Sequence, residues 1–198
     1  ARCWIAGDTD ESHLVIWSEL QGSAELVRVP VGAQPVEVVD LEGRSRRFDP
    51  QAGMIELVVG STPLVIHGVS AAAVEIAARL RFEPEAMDLA AGPQNVHLLI
   101  HNPTSVAMEG EASIKVPRGW SIEPARPRVR IAAGETARVP IEIRWTIPPV
   151  AGEMRLPVAV LLEADSAIRF DGEIPMEVRN ETLEVRTDWA LTTSAVDG

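Results

Sequence analysis

Arg138-Val139-Pro140-Ile141-Glu142-Ile143-Arg144-Trp145 is the stretch that decides the fold. Val139, Ile141, Ile143 and Trp145 alternate with Pro140, Glu142 and Arg144. A strict period of two puts the four apolar side chains on one face of a strand. Just upstream, Ala132-Ala133-Gly134-Glu135 turns the chain, and before it Val129 and Ile131 alternate with Arg128 and Arg130. The same rhythm runs through Ala112, Ile114 and Val116, and through Val96, Leu98 and Ile100, until His101-Asn102-Pro103-Thr104 breaks it. Downstream, Pro148-Pro149 and Gly152 turn again; Met154 to Leu162 is expected as the longest strand and Ile168 to Val178 as the last. Pro140, Pro157 and Pro175 cannot donate to a ladder, which predicts sheet edges or bulges there. Thr182 to Trp189 reads as a further extended segment or tail, and 190–198 as a frayed end.

The first part of the chain keeps the same punctuation. His13-Leu14-Val15-Ile16-Trp17 is a compact β-branched and aromatic run, and Ala24 to Val31 alternates around Arg28. Val36 to Val39 leads through the turn Asp40-Leu41-Glu42-Gly43 into Arg44 to Phe48, a hairpin. Asp49 to Gly53 turns once more, and Met54 to Val59 and Leu64 to His67 close the unit. Val69 to Leu80 is the one stretch with a helical stripe, through Val69, Ala73, Ile76 and Leu80; a short helix and a continued strand both stay open. Turns recur about every 8–12 residues, and some seven strands in roughly 100 residues fit an immunoglobulin-like sandwich for the second part. The fold class expected is therefore all-β: two antiparallel β-sandwich domains in tandem, spanning 1–78 and 79–181, with 182–198 as a tail.

Composition narrows the function. Net charge is −11, and neither half is basic: 11 acids face 5 bases up to residue 78, and 18 face 13 beyond it. Phosphate neutralisation needs clustered Lys and Arg, so nucleic acid and anionic membranes are not expected as partners. The local run Arg44-Ser45-Arg46-Arg47 reads as a solvated face. Cys3 is the only cysteine, which precludes an intrachain disulfide and makes a poor nucleophile near a chain end. No apolar run is long enough to span a membrane as a helix. The missing initiator Met suggests a piece of a longer polypeptide, without a visible signal peptide.

No constellation announces chemistry. His97 and His101 lie four apart, about 13 Å at strand rise, too far to share one metal without a bend. His13 and His67 read as isolated. Asp8, Asp10 and Glu11 cluster in a short loop that lacks the length and glycine placement of a calcium loop. A glycosidase needs two carboxylates at a fixed separation, and nothing singles out a pair among 29 acids. No nucleophile elbow, phosphate loop or dinucleotide fingerprint occurs. No catalytic residue, cofactor or metal is therefore expected. Trp120, in Val116-Pro117-Arg118-Gly119-Trp120-Ser121-Ile122-Glu123-Pro124, reads as a plug at a sheet end; Trp145 and Trp17 read as core, Trp17 alternatively at a domain interface. If any aromatic stacks on a glycan, Trp120 and Trp4 are the candidates.

Two resemblances add to this. The second part resembles the immunoglobulin-like module attached to α-galactosidases and other bacterial glycosidases. The words that carry it are His101-Asn102-Pro103, Val116-Pro117-Arg118-Gly119-Trp120 with Glu123-Pro124, and Ile131-Ala132-Ala133-Gly134-Glu135 before Val139-Pro140-Ile141. The first part looks like the small β-domain that follows a TIM barrel in many retaining glycosidases. There the words are Leu14-Val15-Ile16-Trp17-Ser18, Val38-Val39-Asp40-Leu41-Glu42-Gly43, and Ile55 to Ile66, without the usual tyrosine after Pro63. The resemblance implies a non-catalytic accessory region of a glycoside hydrolase, whose partner is a catalytic barrel of the same polypeptide and whose possible ligand is polysaccharide. A secreted or periplasmic address is favoured over a cytoplasmic one. A tandem surface adhesion protein and a carbohydrate-binding module are the alternatives.

Overall fold

The structure, a computed structural model, describes residues 2–6 (of 3–6 the backbone alone), 12–20, 22–88, 92–164 and 167–179. In chain order the first part contains β1 (Arg2–Ala6), β2 (His13–Trp17), β3 (Glu25–Pro30), β4 (Val36–Val39), β5 (Ser45–Phe48), β6 (Met54–Val59) and β7 (Leu64–His67). Then come α1 (Ala71–Arg79), β8 (Arg81–Glu83), β9 (Ala86–Asp88), β10 (Gln94–His101), β11 (Met108–Ile114) and β12 (Trp120–Glu123). β13 (Arg128–Ile131), β14 (Thr136–Trp145), β15 (Gly152–Glu163) and β16 (Ala167–Arg179) complete the elements. Among the described residues the fold is all-β apart from one short helix, and every strand pair but one is antiparallel.

In the first part a five-stranded sheet, β1-β2-β7-β4-β5, faces a two-stranded ribbon, β3-β6. Alternation explains the faces. Leu14, Ile16, Val36, Val38 and Ile66 point inward and meet Val29, Leu57 and Val59 from the ribbon. The β4–β5 hairpin is fixed by its turn. Asp40 Oδ1 accepts from the backbone N–H of Glu42 and Arg44 (3.0 and 2.9 Å), and Gly43 takes φ +78°.

The second part is a sandwich of two sheets, β12-β14-β10-β8 and β13-β11-β15-β16-β9. These orders match the D-E-B-A and C-F-G sheets of an immunoglobulin fold, with β13 added at the outer edge beside β11. The first strand is divided: β8 pairs with β10 in one sheet, and β9 runs parallel to β16 in the other. The core between the sheets holds Phe82, Leu98, Ile100, Ile141, Ile143, Leu156, Leu162 and Phe170, all nearly solvent-free. β14 shows the expected alternation, with Val139, Ile141 and Ile143 buried and Trp145 half-buried at its end.

The three strand prolines sit inside sheets by strand order, yet each occupies a local edge. Pro140 pairs with His97 of β10, but β12 reaches only Glu142 to Trp145 on the other flank. Pro157 lies one residue beyond the last β11 register pair, where its carbonyl accepts a closing bond from the Lys115 N–H (2.8 Å) and no N–H is returned, and Pro175 lies beyond the β9 pairing. A missing N–H costs little where the neighbouring strand is ending or has stopped. The last strand, with 13 residues, is one longer than β15, so the expected longest strand is second.

Of the two conformations open for Val69 to Leu80, the helix forms. Ser70 caps it: its hydroxyl accepts from the Ala73 N–H at 3.3 Å. The helix has two inner sides. Ala73 and Ile76 join the core of the second part, whereas Val74, with Val69 just before the helix, joins that of the first. The expected boundary at 78/79 thus falls in the last turn of α1. The β5–β6 turn adds a second contact between the parts. Gly53, at φ +74°, lies so close to β16 that a Cβ built on it would come 1.7 Å from the Arg169 carbonyl oxygen. Its neighbour Met54 is buried in the larger core. The expected tail at 182–198, Trp189 and the loop with Asp8, Asp10 and Glu11 lie outside the described residues.

Candidate functional site

Among the described residues, the Asn102 loop carries a dense set of hydrogen bonds. β10 ends at His101, and Asn102 follows with no exposure to solvent. Its Nδ2 donates to the carbonyls of Val106 (2.7 Å) and Ala132 (3.1 Å). Its Oδ1 accepts from the Thr104 N–H and hydroxyl (3.0 and 2.8 Å), while its own N–H donates to Glu135 O at 2.9 Å. The side chain therefore ties the β10–β11 loop to the β13–β14 turn. A side chain whose amide is consumed by four protein groups has nothing left for a ligand. Its chemistry is structural.

The expected turn around Trp120 forms, closed by Trp120 N–H donating to Pro117 O at 3.1 Å with Gly119 at φ +84°. Trp120 and Trp145 are register partners on β12 and β14, with ring centroids 5.6 Å apart and planes tilted 40°. Both rings are half-buried and pack against the larger core. Beside them is a shallow groove of about 310 Å³ lined by Gly92, Pro93, Ser121, Arg144, Trp145 and Thr146. Trp145, read from sequence as core, lines this groove, whereas Trp120 does not. Trp4 belongs to β1, opposite Val15, on a sheet of the other part; the two glycan candidates occupy separate sheets. Truncating Trp120 to Ala is expected to cost about 2 kcal/mol, under the 3–5 typical of fully buried rings. Urea unfolding monitored by circular dichroism measures it.

His13 and His67 are not isolated, which corrects the sequence reading. They are register partners on β2 and β7, with Nδ1 atoms 2.9 Å apart, ring centroids 4.5 Å apart and planes at 70°. The row continues into Glu37 of β4, opposite His67, and Arg47 of β5. The signal was latent in alternation, since Leu14 and Ile66 face inward and force both imidazoles outward. What the sequence withheld was the pairing of strands 54 residues apart. His97 and His101 stay apart on β10, and His101 Nδ1 is 3.1 Å from Thr136 Oγ1. Among the described residues no group of three or more His, Cys, Asp or Glu side chains is placed to hold a metal ion.

Among the described residues, four carboxylates are held below their ordinary values. Glu142 is held down by the hydrogen bond from Arg144, Glu177 by that from Arg179, and Glu25 by the Ser18 hydroxyl. Desolvation alone would raise Asp40, but hydrogen bonds and charge from Arg44 outweigh it. A depressed folded value contributes stability that is present above the unfolded value and lost as pH falls through the folded one. The thermal midpoint is therefore expected to hold from neutral pH to about 5 and to fall below it. All four groups keep contact with solvent, Asp40 and Glu142 being partly covered, so the slope is shallow and salt weakens it. A scan of unfolding from pH 7 to 3 at two salt concentrations checks the sign.

No protein-family model matches the sequence, and a comparison with curated proteins gives no match. Among solved structures, the Pseudomonas aeruginosa CupB2 chaperone is similar over 50% of this chain and 54% of its own, at 16% identity and a TM-score of 0.33. WR4, a C. elegans MSP family member, is similar over 50% of this chain and 97% of its own, at 10% identity and a TM-score of 0.32. This chain thus spans about half the length of the chaperone it matches.

Proposed function

We propose that this polypeptide is a non-catalytic accessory region of a glycoside hydrolase, which braces and positions a catalytic barrel outside this sequence. The observation that carries the proposal is the junction. α1 supplies side chains to both cores and Gly53 abuts the β16 backbone, so the two sheet units behave as one stiff strut rather than beads on a string. A strut suits a spacer or a brace. The densely bonded Asn102 side chain serves loop structure, and the Trp120–Trp145 groove is shallow and backed by core, which suits support better than enclosure of a substrate. The sequence words shared with glycosidase-associated β-domains supply the substrate class.

The test compares the 198-residue chain with the longest natural polypeptide that contains it, on a panel of aryl glycosides. The longer protein is expected to turn over at least one of them, and this chain none. Robust turnover by this chain alone would sink the proposal. A carbohydrate-binding module is the second reading, favoured by the exposure of Trp145 in its groove. It predicts a shift in tryptophan fluorescence on adding polysaccharide, abolished in Trp145→Ala.

A further inference from the structure

The His13–His67 pair brings two imidazole nitrogens of the same kind face to face on a half-open sheet surface. At 2.9 Å the two Nδ1 atoms share one proton: one ring donates and the other accepts. When that proton moves to Nε2 of its own ring, both Nδ1 atoms present lone pairs toward the space between the two rings. Metal–nitrogen bonds of about 2.0–2.1 Å place two ligands about 2.9 Å apart at a right angle, and about 3.3 Å apart at a tetrahedral angle. The observed separation matches the right angle. A right-angled pair of nitrogens is half of a tetragonal coordination plane, the geometry preferred by copper(II) and nickel(II).

We propose that His13 and His67 form a two-imidazole binding site for a tetragonal divalent transition ion. The ion takes the place of the shared proton, which moves to Nε2 of the donor ring; both neutral rings then carry their single hydrogen on Nε2, and water fills the other positions. The backbone presets the site. β2 and β7 pair in register from His13↔His67 to Ile16↔Leu64, and the buried Leu14–Ile66 pair locks that register from beneath. Only a turn of the rings about their side-chain bonds is needed to aim both lone pairs at one point. Glu37 lies across from His67 on the next strand, so an anionic residue borders the cation on the same sheet face. With two protein ligands the site is exchangeable rather than structural, and protons compete for it, so affinity falls as pH falls.

The experiment titrates the full chain with copper(II) sulfate and nickel(II) chloride at pH 7.5, followed by calorimetry and, for copper, by electron paramagnetic resonance. Wild type is expected to bind one more equivalent than His13→Ala/His67→Ala, with nitrogen hyperfine structure that the double variant lacks. His67→Asn, whose amide lies where Nδ1 does and can still hydrogen-bond to His13, is expected to lose affinity by more than about tenfold. A variant with both His97 and His101 replaced by Ala is expected to retain the site. Thermal unfolding without metal establishes that each variant folds. Equal affinity in wild type and His67→Asn would overturn the proposal. So would zinc(II) binding more tightly than nickel(II), since that reverses the geometric preference.

Discussion

Replacing Asn102 by alanine is expected to lower the thermal midpoint by about 6–12 °C, close to 3 kcal/mol at the usual slope for a chain of this size. The side chain is fully buried and makes four protein hydrogen bonds across two loops. Alanine leaves the carbonyls of Val106 and Ala132 without those donors and removes the acceptor for Thr104. Each buried polar group left unsatisfied costs about 1–3 kcal/mol, and partial entry of water keeps the sum toward the lower end. Aspartate at 102 separates the chemistry from the volume. A carboxylate fills the same space but has no N–H to give, and it turns negative charge toward carbonyl oxygens. Asn102→Asp is therefore expected to be less stable than Asn102→Ala at pH 7, and to recover relative to it as pH falls. If both variants unfold within 2 °C of wild type, the loop is held by something other than this amide.

The second large effect is expected at Gly53. Substitution by alanine meets two separate penalties. At φ +74° a Cβ costs about 1–2 kcal/mol in any context. The same Cβ would also lie 1.7 Å from a backbone oxygen of Arg169, which no side-chain adjustment can relieve. The β5–β6 turn must then move off β16. Its displacement disturbs the Gly53 carbonyl, which accepts from the N–H groups of Val31 and Gly32 (2.9 and 3.2 Å). A total of about 3 kcal/mol or more follows. Gly43 provides the comparison: its φ is +78°, but nothing lies within 4 Å of a Cβ built there. Gly43→Ala is expected to cost only the conformational share. Differential scanning calorimetry is expected to show one transition for wild type and a broader one for Gly53→Ala as the two parts uncouple. Equal losses at the two glycines would show that the junction contact carries no energy.

These two positions mark where sequence reasoning succeeds and where it stops. Strand existence was legible because alternation is local. Val139, Ile141 and Ile143 announce their inward face without any knowledge of what covers them. Turns were legible for the same reason, since Asp40 and Gly43 specify their hairpin within four residues. Asn102 was visible as the end of a strand but not as a buried hub, because its partners at Val106 and Ala132 depend on two loops meeting. Gly53 read as an ordinary turn glycine, which its φ of +74° bears out, but its second reason for being glycine lies 116 residues away at Arg169. His13 and His67 read as solitary because pairing across a sheet is set by tertiary register, which periodicity does not report. For α1 the sequence offered one stripe through Val69, Ala73, Ile76 and Leu80, and the structure divides the segment: Ala73, Ile76 and Leu80 join the larger core, whereas Val69 and Val74 join the other.

That last arrangement bears on how such a chain could evolve. A piece that fills two cavities at once cannot be inherited by one neighbour without leaving a hole in the other. Gene rearrangements that exchange either sheet unit for a homologue would have to bring a matching segment at 71–79, or accept an unfilled interior. The pair should therefore travel through genomes as an indivisible cassette, with recombination breakpoints falling outside it.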